Sequence, residues 1–106
     1  MTVAVVWETY FGKGNAEPGL QVTRKIWEDM RQFAGYLDHE IIADADKEGH
    51  VVVISHWTSR VAADTVRNRY GSHPNAVLAN KLAREPRRRW VGVPVEINQA
   101  DSEDAA

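Results

Sequence analysis

Four histidines, four tryptophans and a knot of arginines are the side chains in this sequence with most chemistry to offer. His50 and His56 fall on one expected strand, so about 20 Å separates them at roughly 3.3 Å per residue, and they cannot share a metal within one subunit. No histidine pair has the i, i+4 spacing of a metalloprotease helix. The chain has no cysteine, which excludes disulfides, thiolate metal sites and a cysteine nucleophile, and no bound metal is expected. His39 lies within a strand and can face either sheet surface. His73 precedes Pro74 at a helix start, where capping is the ordinary role. It also marks a helix break, and side chains at such breaks often line a cavity mouth.

Among the tryptophans, Trp7, Trp57 and Trp90 fall on expected strands and Trp27 on a helix. Indoles usually supply core area with one polar handle, but several in a small domain can wall a pocket for a flat ligand. Trp27 is expected in the core. For Trp57, at the end of a strand beside a helix start, both roles stand. Parity counted from Trp57 puts Ser55, Val53 and Val51 on its face of the strand, and His56, Ile54 and Val52 on the other. Arg84, Arg87, Arg88 and Arg89 read as a solvated basic face. With 13 basic against 15 acidic residues overall, no nucleic-acid partner is expected. Gly12-Lys13-Gly14 lacks the rest of a phosphate loop, and no hydrolase triad motif is present.

The elements that must position these groups follow from patterning. Residues 2–11 are β-branched and aromatic, a strand. Apolar positions at helical spacing give a helix over about 18–34, with Pro18 in its first turn and Gly35 ending it. Strands over 36–45 and 50–57 flank a polar loop ending in Gly49. Ser59 caps a helix to Tyr70, and Ser72 or His73 caps another over about 75–84. The last strand is expected over 90–97. This order is a ferredoxin-like βαββαβ, an α+β domain over residues 1–98 with an antiparallel four-stranded sheet. Residues 99–106 are expected to form a disordered acidic tail. No apolar run approaches the roughly 20 residues that cross a bilayer, so a cytoplasmic protein with no membrane partner is expected.

Val51 to Ile54 and Val3 to Val6 are continuously apolar, which signals strands covered on both faces. Helices on one face leave the other open, so a homodimer packed sheet against sheet is expected.

His56-Trp57-Thr58-Ser59, closing the third strand and opening a helix, resembles the W-x-S signature of the antibiotic biosynthesis monooxygenase superfamily. Gly35-Tyr36 and Gly71-Ser72-His73-Pro74 fit the same pattern, and the likeness spans about residues 2 to 97. The resemblance implies a dimeric α+β barrel and a cofactor-independent monooxygenase acting on an aromatic, polyketide-like small molecule. The substrate would lie against Trp57 and Trp7, with Tyr70 and Phe33 beside it. His39 or His73 would assist deprotonation of a phenol, a role suited to a group whose pKa lies near neutrality. The resemblance also admits a haem-binding or haem-degrading monooxygenase, or a non-catalytic small-molecule-binding dimer. The sequence departs from the pattern at three positions. Val53 stands where the quinone-forming enzymes carry Asn, Arg67 where the haem-degrading enzymes carry a ligating His, and Trp7 where the latter carry a first-strand Asn.

Overall fold

A computed structural model of the chain describes residues 1–98, and the expected acidic tail, residues 99–106, lies outside them. The elements are β1 (Val3–Tyr10), α1 (Ala16–Met30), β2 (Tyr36–Ala43), β3 (His50–Trp57), α2 (Arg60–Tyr70), α3 (Pro74–Leu82) and β4 (Arg88–Gly92). The four strands pair antiparallel in the order β2-β3-β1-β4. This is the ferredoxin-like arrangement expected from the element order. No helix among the described residues is long and apolar enough to cross a membrane.

Several boundaries differ from those expected. β4 occupies Arg88–Gly92 rather than 90–97. Its ladder with β1 runs only from Glu8↔Arg88 to Ala4↔Gly92. Beyond Gly92 strand β1 has almost run out, and Pro94 has no N–H to donate. Val93, Val95 and Ile97 are accordingly exposed.

Helix α1 begins before Pro18, which still falls in the first turn where no intrahelical N–H is required. It ends at Met30, and successive turns carry the chain to Tyr36. Gly35 therefore does not stop the helix. Its φ of +90° suits glycine, and a Cβ there would stand 2.5 Å from the Ala62 Cβ, so its bare backbone is what lets α2 approach. At the other helix starts the expected caps form: Ser59 Oγ accepts from Ala62 N, and His73 Nδ1 accepts from Asn75 N.

Within one chain, strand β3 alternates between a covered and an open face. Val51, Val53, Ser55 and Trp57 are buried beneath the helices, while His50, Val52, Ile54 and His56 are only half-buried on the other face. Val3 and Val5 of β1 share the inner face and meet Val22, Ile26, Trp27 and Met30 of α1 in the core. On the outer face, cross-strand register aligns Trp90 with Val6 and Ile54, and Val52 with Ile42. Trp90 is 61% exposed there. Nothing among the described residues covers this apolar strip.

At one end of that face the His50 ring sits between two carboxylates. Asp44 Oδ2 lies 2.6 Å from Nδ1 and Glu8 Oε2 lies 2.8 Å from Nε2, with Tyr10 stacked at 4.3 Å. Hydrogen bonding to Asp44, then to Glu8, raises the His50 pKa above its ordinary 6.5. The same contact with His50, helped by the Asp46 and Lys47 amides, holds Asp44 down at about 2. The raised histidine stabilises the fold fully below 6.5 and loses that contribution as pH rises through its folded-state value. The depressed carboxyl contributes fully above 3.8 and is lost as pH falls through about 2. Thermal unfolding should therefore show a larger penalty for His50→Gln at about pH 5 than at about pH 9. An equal penalty at both would contradict the ion-pair assignment.

Candidate functional site

A cavity of about 90 Å³ lies between the inner face of the sheet and the helices. Alternation along β1 and β3 supplies its floor, with Val5, Trp7 and Thr9 beside Val51, Val53 and Trp57. Thr23, Ile26, Trp27 and Met30 of α1 and Ala63, Val66 and Tyr70 of α2 enclose it. The lining is mostly apolar and includes three indoles, Trp7, Trp27 and Trp57. Its volume is well below the roughly 300–1,000 Å³ of pockets for drug-sized ligands, so it suits a compact ligand.

Trp57 is both core and cavity wall. It is 2% exposed, its indole N–H donates to Ser55 Oγ at 3.0 Å, and Ser55 donates on to the Val5 carbonyl at 3.4 Å. Tyr36 meets it edge-on at 5.7 Å. The ring is thus fixed from its polar edge by a wholly buried serine of the same strand face. Trp27, expected only in the core, also lines the cavity.

The arginine knot is not a uniformly solvated face, because strand alternation sorts it. Arg87 and Arg89 reach the cavity, while Arg88 stays outside. Arg87 Cζ lies 4.8 Å from the centre of the Trp7 ring, a cation–π contact, and its Nε donates to Asn80 Oδ1 at 2.7 Å. Burial lowers the Arg87 pKa. Arg89 pairs in register with Trp7 and donates from Nη2 to Asp64 Oδ1 at 2.9 Å, which holds the Asp64 carboxyl below its usual range. Its side chain is 10% exposed, and its Nε–H is buried without an acceptor among the described residues. Arg67, on α2, completes the cationic lining.

Tyr70 lines the cavity with its ring and ties down its helices with its hydroxyl. The hydroxyl donates to Asp29 Oδ2 at 2.6 Å, while Asn75 Nδ2 donates to the Tyr70 oxygen at 3.4 Å. Burial and Asp29 push the phenol pKa up to about 12. His73 stacks on Tyr70 at 4.4 Å, and its Nε2 lies 3.9 Å from Asp29. His39 shares a 2.6 Å hydrogen bond with the Tyr36 hydroxyl and tilts against Trp27 at 5.4 Å. Burial, followed by Arg31, lowers its pKa. Phe33 meets Tyr70 edge-on at 6.3 Å.

Of the site residues expected from sequence, Trp57, Trp7 and Tyr70 line the cavity, whereas His39, His73 and Phe33 do not. Both histidines stand behind aromatic walls. Arg87, Arg89, Trp27 and Ser55 escaped sequence reasoning as site residues. Parity counted back from the outward-facing Trp90 puts Arg89 and Arg87 on the inward side once the strand is extended to them. Val53, Arg67 and Trp7, the three departures from the superfamily pattern, all line the cavity.

These residues do not fit a haem. The volume is too small for the macrocycle, and the histidines are absent from the lining. Tyr70, a possible axial donor, has its hydroxyl committed to Asp29. Among the described residues no group of three or more His, Asp or Glu is placed to hold a metal ion.

Trp57→Ala should lower the unfolding free energy by about 3–5 kcal/mol, as large-to-small core changes do. Trp57→Phe should cost only about 1–2 kcal/mol, chiefly the Ser55 hydrogen bond, while weakening aromatic-ligand binding. Denaturant unfolding and ligand titration read the two effects. A large stability loss in the Phe variant with unchanged affinity would remove Trp57 from the site.

No protein-family model matches the sequence, and no curated protein matches it. Solved structures do share the fold. A variant of SnoaB, a cofactor-independent oxygenase from Streptomyces nogalater, superposes with a TM-score of 0.80 at 18% identity, over 91% of this chain and 95% of that one. A structure described as an antibiotic biosynthesis monooxygenase gives 0.73 at 20% identity, over 89% and 99%. Rv0793 from Mycobacterium tuberculosis gives 0.76 at 18% identity, over 93% and 100%. At these identities the likeness is one of fold, and along nearly its whole described length the chain has the ferredoxin-like α+β fold of antibiotic biosynthesis monooxygenase structures.

Proposed function

We propose that the chain belongs to the antibiotic biosynthesis monooxygenase superfamily and acts as a cofactor-independent monooxygenase on a compact aromatic phenol. The observation that carries this reading is the position of the cavity. It is walled by Trp7, Trp27 and Trp57 and faced by arginines, in a fold shared with a cofactor-independent oxygenase. Such a cavity can hold a flat ring, exclude bulk water and stabilise negative charge on the ring oxygen. Ionisation makes the ring electron-rich enough to reduce dioxygen itself. One oxygen atom enters the ring carbon, two hydrogens leave it and its hydroxyl, and the second oxygen departs with them as water. The phenol is the reductant, so the step balances without a cofactor.

His39 and His73 are proposed as positioning residues, since each packs on an aromatic ring of the wall, Trp27 and Tyr70 respectively. The deprotonation that the superfamily resemblance assigns to them then takes place as the phenol enters, its proton passing to solvent at the cavity mouth and the arginines favouring the bound anion.

Oxygen uptake by the purified protein with 1-naphthol or 2-naphthol, in the absence of flavin, haem and metal, tests the reading. Expected are consumption of one dioxygen per quinone formed and incorporation of one labelled oxygen atom from ¹⁸O₂. Binding of the naphthols without oxygen uptake would favour a non-catalytic binding protein instead.

The reading includes a homodimer. A second copy packed sheet to sheet would cover Val6, Ile42, Val52, Ile54 and Trp90, a strip that one chain leaves to water. Light scattering at micromolar concentration should give about twice 11.9 kDa. The Ile54→Glu variant should move toward the mass of one chain. A monomer at every concentration would remove the dimer.

A further inference from the structure

The ionised groups lining the cavity are of one sign. Arg67, Arg87 and Arg89 face it, and among the described residues no carboxylate lines it. Asp64 neutralises Arg89 from outside the lining, through Nη2. Arg87 is bonded to the neutral amide of Asn80 and lies over Trp7. Beside this excess of positive charge, the Arg89 Nε–H is buried with no acceptor among the described residues. Buried donors in folded proteins are almost always paired, and a charged donor left open in an apolar chamber points to a missing acceptor.

We propose that the cavity binds a compact aromatic ligand bearing a single oxyanion, carboxylate or phenolate, which accepts a hydrogen bond from Arg89 Nε while its ring packs on the lining indoles. This deepens the oxygenase reading by naming the charge of the substrate at the same site. Arg89 is well placed for the role because Asp64 holds its guanidinium at Nη2, so the group is oriented before the ligand arrives. Arg87 adds a second cation, and its contact with Trp7 couples the charge to a cavity wall. A phenol entering this field ionises more readily than in water, so the cavity needs no histidine among its lining residues to generate the anion.

The test uses three naphthalenes and requires no turnover. Calorimetric titration should show 2-naphthoate binding at least about tenfold more tightly than its neutral counterpart 2-naphthalenemethanol. In Arg89→Gln that preference should fall to within about twofold. For 2-naphthol, the ionisation midpoint followed by absorbance should drop by at least about one pH unit on binding and return toward the free value in Arg89→Gln. A merely structural role for Arg89 would leave that midpoint unmoved. Circular dichroism checks folding. Should the Gln variant fail to fold, Arg89→Lys keeps a charge for Asp64 while removing the Nε–H, and should lose most of the preference. Equal affinity for naphthoate and the alcohol in the unaltered protein overturns the proposal, and is the result expected if a water molecule alone satisfies Nε. Anion preference without oxygen uptake upholds it and removes the oxygenase reading. Oxidation of naphthols without anion preference does the reverse.

Discussion

The inward rows of β1 and β3 meet in register, with Val5 against Ser55, Trp7 against Val53 and Val3 against Trp57, and the rest of the molecule depends on the floor they make. Helix α1 presses Val22, Ile26, Trp27 and Met30 against that floor, and α2 adds Ala63, Val66 and Tyr70. Because side chains alternate along each strand, the residues between these rows must point away from the helices. One constraint thus creates two surfaces: a covered face that retains a cavity, and an open face carrying Val6, Ile54 and Trp90. Two of the polar groups on the covered face are paired within the protein. Ser55 satisfies the Trp57 indole, and Asp29 with Asn75 satisfies the Tyr70 hydroxyl.

Against this largely apolar lining the arginines matter more than their number suggests. A guanidinium at the protein surface is screened by water, but one that is nine-tenths buried acts at a lower effective dielectric. Asp64 offsets the charge of Arg89 without occupying its Nε, and Asn80 orients Arg87 without neutralising it. The cavity is therefore apolar in shape and cationic in charge. That combination suits a flat ring bearing one anionic oxygen better than it suits a neutral hydrocarbon or a macrocycle.

Much of the fold was legible in the chain, and the reason is local consistency. Ser59 before a helical stretch, Pro74 after a capping residue, and the polar loop ending in Gly49 each act over a few residues. The parity of Trp57 with Ser55 and Val53 could be counted and is the parity observed. Less legible was anything set by a distant partner. The end of β4 depends on where β1 stops offering backbone groups, and Gly35 depends on the approach of Ala62 from a later helix. The late start expected for β4 also hid Arg87 and Arg89, since residues placed before the strand are given no inward or outward face. His39 and His73 were attractive for their chemistry, but their positions in the fold put rings of Trp27 and Tyr70 between them and the cavity. Sequence showed which residues could do chemistry, while the register of a short edge strand decided which of them reach the cavity.

A crystal structure of the protein grown with 2-naphthoate tests the central claim most directly. The account predicts the ring beneath α1, in contact with Trp7 or Trp57, and a carboxylate oxygen about 3 Å from Arg89 Nε. A cavity holding only water, with naphthoate bound against Trp90 on the open face or not at all, would contradict it.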